Sequence, residues 1–298
     1  MGYITARFCI ILVVALLLFA TQSEIESNRA YALSPSPPPS NYPGIVPDGI
    51  GGVIIVWHTT GGNILGTRIV SGGNIIWKQP IRVRLYSEPQ PDNLQGLFYP
   101  QPIIDDSGGA IITWEEHLKG KYNIYAQKID GNGKRTWDKN GMFIGSAYGG
   151  LDYWPNNSIV ADGYNGAIIV WESCVEDGIT IYAQHLDSAG NILWERGGVK
   201  IGSAFSGYSD YTNHYLQSDG FGGAIILWSD DYLLDSEETS YIYAQRIDGP
   251  SNILWGNNKV NIGSPEKDGL SYKILQESSG ELLIHHQGVP KGACPLYY

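Results

Sequence analysis

The feature that most constrains this chain is a tryptophan that returns every 57 residues. Gly51-Gly52-Val53-Ile54-Ile55-Val56-Trp57 recurs as Gly108-Gly109-Ala110-Ile111-Ile112-Thr113-Trp114, then as Asn165-Gly166-Ala167-Ile168-Ile169-Val170-Trp171, and again as Gly222-Gly223-Ala224-Ile225-Ile226-Leu227-Trp228. One more step of 57 lands on His285, in a worn fifth copy at residues 280–285. Three further pieces travel with this one. Ile124-Tyr125-Ala126-Gln127-Lys128-Ile129-Asp130 has copies at 181–187 and 242–248. A second tryptophan stands at Trp77, Trp137, Trp194 and Trp255. Ile144-Gly145-Ser146-Ala147 returns at 201–204 and 262–265. A period of this size marks a chain of stacked, similar units.

Each unit reads as four short strands. Strand a precedes the glycines, as at Pro102 to Asp105 or Ser158 to Ala161. Strand b is the Ala-Ile-Ile-x-Trp run, apolar on both faces as a strand packed between neighbouring sheets must be. Strand c carries Ile-Tyr-Ala-Gln, and strand d runs from the second tryptophan toward Ile-Gly-Ser. The a–b turn (Asp-Gly-x-Gly-Gly) and the c–d turn (Asp130-Gly131-Asn132-Gly133 and its kin) use residues that tolerate positive φ. No stretch of the mature chain shows helical periodicity. The pattern predicts an all-β fold: a β-propeller over residues 48–290, with four full four-stranded blades plus a partial fifth, about 57 residues per repeat. A β-sandwich array or a solenoid fits the length and strictness of the period less well. Some 18 strands are neither 16 nor 20. Ring closure is therefore left open: the tail at 291–298 completes a fifth blade, the ring is open, or the chain is part of a longer array.

Asp-Gly-x-Gly-Gly-Ala-Ile-Ile-x-Trp, with Ile-Tyr-Ala-Gln-x-Ile-Asp and Gly-Asn-x-Leu-Trp behind it, resembles a β-propeller-like repeat of secreted bacterial and archaeal surface proteins. The resemblance spans about residues 45–287. It implies an exported repeat protein and names no activity.

The N-terminus reads the same way. Phe8 to Ala20 is an unbroken apolar run of 13 residues, and Ala30-Tyr31-Ala32 is a small-x-small cleavage pattern. Residues 1–32 are expected to be a signal peptide, with an uncleaved anchor as the alternative. The run is shorter than the roughly 20 residues a membrane span needs, so no span is expected after cleavage. Residues 33–47, with Ser34-Pro35-Ser36-Pro37-Pro38-Pro39-Ser40, form a proline-rich linker that can join neither helix nor ladder. The expected location is secreted or cell-surface.

With 19 Lys+Arg against 30 Asp+Glu, the net charge of −11 argues against a nucleic-acid partner, which needs a basic face. No cofactor or metal motif stands out. Asp105-Asp106-Ser107-Gly108 and Asp130-Gly131-Asn132-Gly133 lack the ligand spacing of a calcium loop and read as tight turns. Cys174 and Cys294 fall on the same side by strand parity and are a candidate disulfide.

In an up-and-down blade the a–b and c–d turns share one face, and the b–c and d–a connections share the other. Here the first pair is nearly constant among copies. The second varies: from the strand b tryptophan to the Tyr125 position the offsets are 8, 11, 11 and 15. Loops free to diverge are where binding usually lives. They carry acids (Glu115, Glu116, Glu172, Asp230, Asp231) and aromatics (Tyr153, Trp154, Tyr208, Tyr211). Aromatic faces beside carboxylates suit sugar recognition, while mutual packing of the aromatics and plain solvation of the acids is the bland account. Tyr153, Trp154, Tyr208, Tyr211, Asp230 and Asp231 are the candidate ligand-binding residues. The expected function is a non-catalytic binding or surface-structural module whose partner is a polysaccharide or a surface protein. The alternative is a carbohydrate-active hydrolase with Glu115 and Glu172 as its acid and base. Oligomeric state is not legible.

Overall fold

The computed structural model describes residues 43–59, 63–77, 80–84, 96–105, 107–118, 121–149, 156–175, 178–204, 214–234, 237–256, 259–263, 270–276 and 282–288. Its described residues form four four-stranded antiparallel sheets and one two-stranded sheet, with no helix. The first sheet holds β1 (Gly44–Pro47), β2 (Val53–His58), β3 (Ile64–Ile69) and β4 (Ile81–Arg84). The second holds β5 (Gly96–Ile104), β6 (Ala110–Leu118), β7 (Lys121–Ile129) and β8 (Met142–Tyr148). The third holds β9 (Asn157–Ala161), β10 (Ala167–Val175), β11 (Gly178–Leu186) and β12 (Val199–Ala204). The fourth holds β13 (His214–Ser218), β14 (Ala224–Leu234), β15 (Glu237–Ile247) and β16 (Val260–Gly263). In each, neighbours in sequence are neighbours in the sheet. This up-and-down order is that of a propeller blade. The fifth sheet pairs only β17 (Leu270–Gln276) and β18 (Leu282–Gly288).

The a–b hairpins close on Asp-Gly-x-Gly-Gly as expected. Gly51, Gly108 and Gly222 take φ of 92°, 75° and 83°, and Asn165 takes the same left-handed role at 64°. Asparagine is the non-glycine residue best suited to that region.

Consecutive blades are stitched through their tryptophans. The strand b residues Trp114, Trp171 and Trp228 are completely or almost completely buried. The Trp171 ring lies between Gly145 of the preceding blade and Gly198 of its own, and a Cβ at either position would overlap it. The Ile-Gly-Ser repeat thus exists because the next blade's indole fills the space a side chain would need. Removing a ring this enclosed costs about 3–5 kcal/mol. The second tryptophan reaches forward instead. Trp77, Trp137 and Trp194 donate their indole N–H to the carbonyls of Gly131, Ser188 and Gly249 in the following c–d turn, at 3.1, 3.1 and 2.7 Å.

Three expectations need correction. The stretch read as linker to residue 47 joins a ladder at its end: Gly44–Pro47 is β1, paired antiparallel with β2, because only Pro47 of these four lacks an N–H. Strand d does not begin at the second tryptophan. A single bridge such as Ile129↔Arg135 or Leu186↔Ile192 precedes it, and the ladder resumes only at β8, β12 and β16. The acids after the strand b tryptophan are also not loop residues. β6, β10 and β14 run on past Trp114, Trp171 and Trp228, and Glu115, Glu172 and Asp230 pair in register with Ile124, Ile181 and Tyr241. Charged residues read as loop, but here partners from neighbouring strands and blades let the ladder continue through them.

Candidate functional site

At the turn end of each of the four four-stranded blades sits a buried aspartate: Asp48, Asp105, Asp162 and Asp219. One carboxylate oxygen accepts the N–H groups two and four residues on, as Asp162 Oδ1 does from Tyr164 (2.7 Å) and Gly166 (2.8 Å). The other faces a basic side chain from strand c: Arg68 at 3.1 Å, Lys128 at 3.3 Å, His185 at 2.9 Å and Arg246 at 2.8 Å. Burial alone would raise Asp48 and Asp162. The donated hydrogen bonds and the neighbouring Arg68 or His185 outweigh it and hold both carboxyls below their ordinary value. The sequence carried a signal for this pairing, because the residue after the strand c glutamine (Thr67 in the first blade) is basic in all four: Arg68, Lys128, His185, Arg246.

The opposite end of the blades holds the variable connections and a different set of carboxylates. Glu115 and Glu172 occupy equivalent positions and are 0% and 1% exposed. Each reaches into the next blade. Asn157, the first residue of β9, donates its side-chain N–H to Glu115 Oε1 at 2.9 Å. His214, the first residue of β13, sets Nδ1 2.6 Å from Glu172 Oε1. Asn157 and His214 are themselves equivalent, standing opposite Trp171 and Trp228 in the a–b ladders. Burial pushes the Glu115 carboxyl up to about 8, the Asn157 hydrogen bond opposes this, and the charge of Glu172 adds to it. Burial, Glu115, Tyr99 and Cys174 together push the nearby Tyr122 hydroxyl up to about 12. Three buried atoms of this seam have no hydrogen-bond partner among the described residues: Glu115 Oε2, Asn157 Oδ1 and His214 Nε2. A carboxyl protonated near neutral pH can give a proton, and all three atoms are enclosed in the joint. Asn157 and His214 escaped sequence reading, since nothing local ties them to acids 42 residues earlier.

Of the candidate ligand-binding residues, Tyr153, Trp154, Tyr208 and Tyr211 lie outside the described residues. Asp230 is buried and paired with Lys259 at 2.7 Å, so it is not part of an open acidic surface. Asp231 lies in the β14–β15 ladder opposite Ser240. Cys174 is half-buried on β10, and Cys294 lies outside the described residues. Among the described residues no cluster of His, Cys, Asp and Glu is placed to hold a metal ion.

No known protein-family model matches the chain, and no curated protein matches it. Among solved structures it is similar to an ulvan lyase, a polysaccharide lyase bound to -[GlcA(1-4)Rha3S]-. The TM-score is 0.52 at 11% identity, over 78% of this chain and 57% of that one. The chain thus spans less than two thirds of that lyase. It is also similar to an endo-arabinase from Bacteroides thetaiotaomicron (TM-score 0.41, 14% identity, 86% of this chain and 93% of that one). A third is an exo-1,5-alpha-L-arabinanase from a bovine ruminal metagenomic library (0.41, 12%, 84% and 87%). At 11% identity the likeness to the ulvan lyase concerns the fold.

Proposed function

We propose that the protein is an exported β-propeller that binds polysaccharide on the face of its b–c hairpins and d–a connections, with β17–β18 belonging to a fifth blade of a closed ring. The observation that carries the reading is the inter-blade seam, with buried polar atoms at Glu115, Asn157 and His214 that lack partners among the described residues. These atoms are enclosed in the joint, so they mark the polar seam beneath this face rather than the groups a sugar would touch. Chain connectivity adds the apolar half of such a site. The segment leading into Asn157 carries Tyr153 and Trp154, and the segment leading into His214 carries Tyr208 and Tyr211. Rings that stack on sugar C–H faces thus stand within a few residues of the seam. The polysaccharide lyase that this fold resembles supports the same substrate class.

A second reading, a carbohydrate-active hydrolase, has one observation in its favour. Glu115 is held protonated near neutral pH beside Glu172, as a general acid must be. Both carboxyls are sealed from solvent and engaged across a blade joint, so binding is preferred. Affinity electrophoresis in gels containing a panel of plant, algal and microbial polysaccharides separates the two. Retardation that is weakened in Trp154→Ala, with no reducing ends or unsaturated products released, is the expected result. Product release that vanishes in Glu115→Gln would establish the hydrolase instead. No retardation in any gel would overturn the binding reading.

A further inference from the structure

The turn face, opposite the seam, is the conserved side of the repeat, yet it carries the most exposed apolar side chains of the described residues. The middle position of the a–b turn is Ile50 in blade 1, Ser107 in blade 2, Tyr164 in blade 3 and Phe221 in blade 4. Ile50, Tyr164 and Phe221 are 70%, 68% and 70% exposed. Isolated exposed apolar residues are ordinary. Two aromatic rings at the same position of adjacent blades are less so, because the position sits at the tip of a fixed turn.

That turn is rigid. The Tyr164 and Phe221 N–H groups are held by Asp162 and Asp219 at 2.7 and 2.8 Å, and the same oxygens hold Gly166 and Gly223 at 2.8 and 2.9 Å. The far oxygens are anchored by His185 and Arg246. Glycines at 163 and 220 keep the flanks bare. The Tyr164 ring reaches over to the blade 4 turn, where a Cβ on Gly222 would stand 3.3 Å from its Cε2. The Tyr164 ring therefore lies against the turn that carries Phe221, both are mounted on preorganised backbone, and little ordering entropy opposes a ligand that lies on them.

We infer that Tyr164 and Phe221 form a second polysaccharide contact, an aromatic platform for pyranose rings that present a flat C–H face. This would make the protein a bridge between two sugar chains, one on each face. The inference rests on the polysaccharide reading above. The size of the feature favours this occupant. Two rings offer roughly 300–500 Å², well short of the roughly 800 Å² per partner of a stable protein interface but sufficient for two or three sugar rings. The acidic net charge disfavours nucleic acid and anionic lipid surfaces.

The test compares wild type, Trp154→Ala and the double variant Tyr164→Ala/Phe221→Ala in affinity gels containing hydroxyethyl cellulose, xylan or glycol chitin, with sedimentation velocity in parallel. Surface tips of this kind tolerate truncation, and circular dichroism melting confirms the fold. The expected result is weakened retardation in the double variant, by roughly fivefold or more per ring, with residual retardation in Trp154→Ala. Wild-type retardation that the double variant leaves unchanged would overturn the platform and leave the first face standing. A concentration-dependent dimer abolished by the double variant would overturn it as well, assigning the rings to self-association. No retardation of wild type in these gels would overturn the platform, and the wider polysaccharide panel then decides the first reading.

Discussion

The two ends of each blade bury carboxylates in opposite ways. At the turn end, Asp48 and Asp162 are enclosed by backbone N–H donors and a basic side chain, and burial does not prevent their charge: both carboxyls sit below their ordinary value. At the loop end, Glu115 is just as enclosed but among the described residues has only the Asn157 amide for a donor, with the negative charge of Glu172 nearby, and its carboxyl is raised to about 8. Depth is similar at the two ends; the partners differ. The turn end stores stabilising charge pairs. The loop end stores an unmet demand for hydrogen bonds, which is the mark of a surface arranged for something other than stability.

The contrast can be broken most severely at the turn end. Asp48→Ala leaves the Arg68 guanidinium buried without its carboxylate and two turn N–H groups without an acceptor. The expected loss is about 3–5 kcal/mol at neutral pH, measured by urea unfolding. The folded carboxyl lies below its ordinary value of 3.8, so this contribution is present above that value and is lost as pH falls through the lower folded value. The destabilisation caused by Asp48→Ala should therefore shrink in strong acid. A loss that is the same at every pH would mean that the ion pair is not its source.

At the loop end the sign reverses. Glu115 is raised from 4.5 to about 8, so its burial is harmless below 4.5 and increasingly costly as pH rises toward 8. Glu115→Gln keeps an oxygen for the Asn157 amide and removes the charge. It should melt higher than wild type at pH 9, by on the order of 2 kcal/mol of stability, and match it near pH 4.5. A variant less stable than wild type at pH 9 would show that Glu115 is ionised and well served in the folded protein. The smallest effect belongs to the outer c–d turns, where Asp187 accepts from Ala189 and Asn191 near the surface. Asp187→Ala should cost about 1 kcal/mol in the same urea experiment, the value of a turn cap with water as its competitor.

Much of the fold was legible because the repeat states it four times. Asp-Gly-x-Gly-Gly has only one economical use, a turn with positive φ, and Ala-Ile-Ile-x-Trp between such turns has to be a strand enclosed on both faces. The sequence also marked the face on which Glu115 and Glu172 stand. It misread their setting, placing them in loops, because a charged pair after a tryptophan is locally indistinguishable from the start of a connection. The β6–β7 and β10–β11 hairpins extend through them, and Asn157 and His214 arrive from the next blade to meet their carboxyls. The turn-face rings were passed over for a related reason. Position-by-position constancy suggested scaffold, while the exposure of Tyr164 and Phe221 is a property of the assembled turn.

What the sequence determined by itself is the unit: its period, its four strands, its turn chemistry and the order in which neighbours pair. These rest on interactions within a few residues or between adjacent strands, which a linear pattern records. What only the tertiary structure decided is the charge state and the exposure of the side chains that carry chemistry. Asp48 and Glu115 are both buried acids, and nothing in their local sequence says that one is held ionised and the other protonated. That depends on the group brought opposite, Arg68 across a sheet in one case and Asn157 across a blade joint in the other, because electrostatic energy in a dry interior is set by the nearest partner in space.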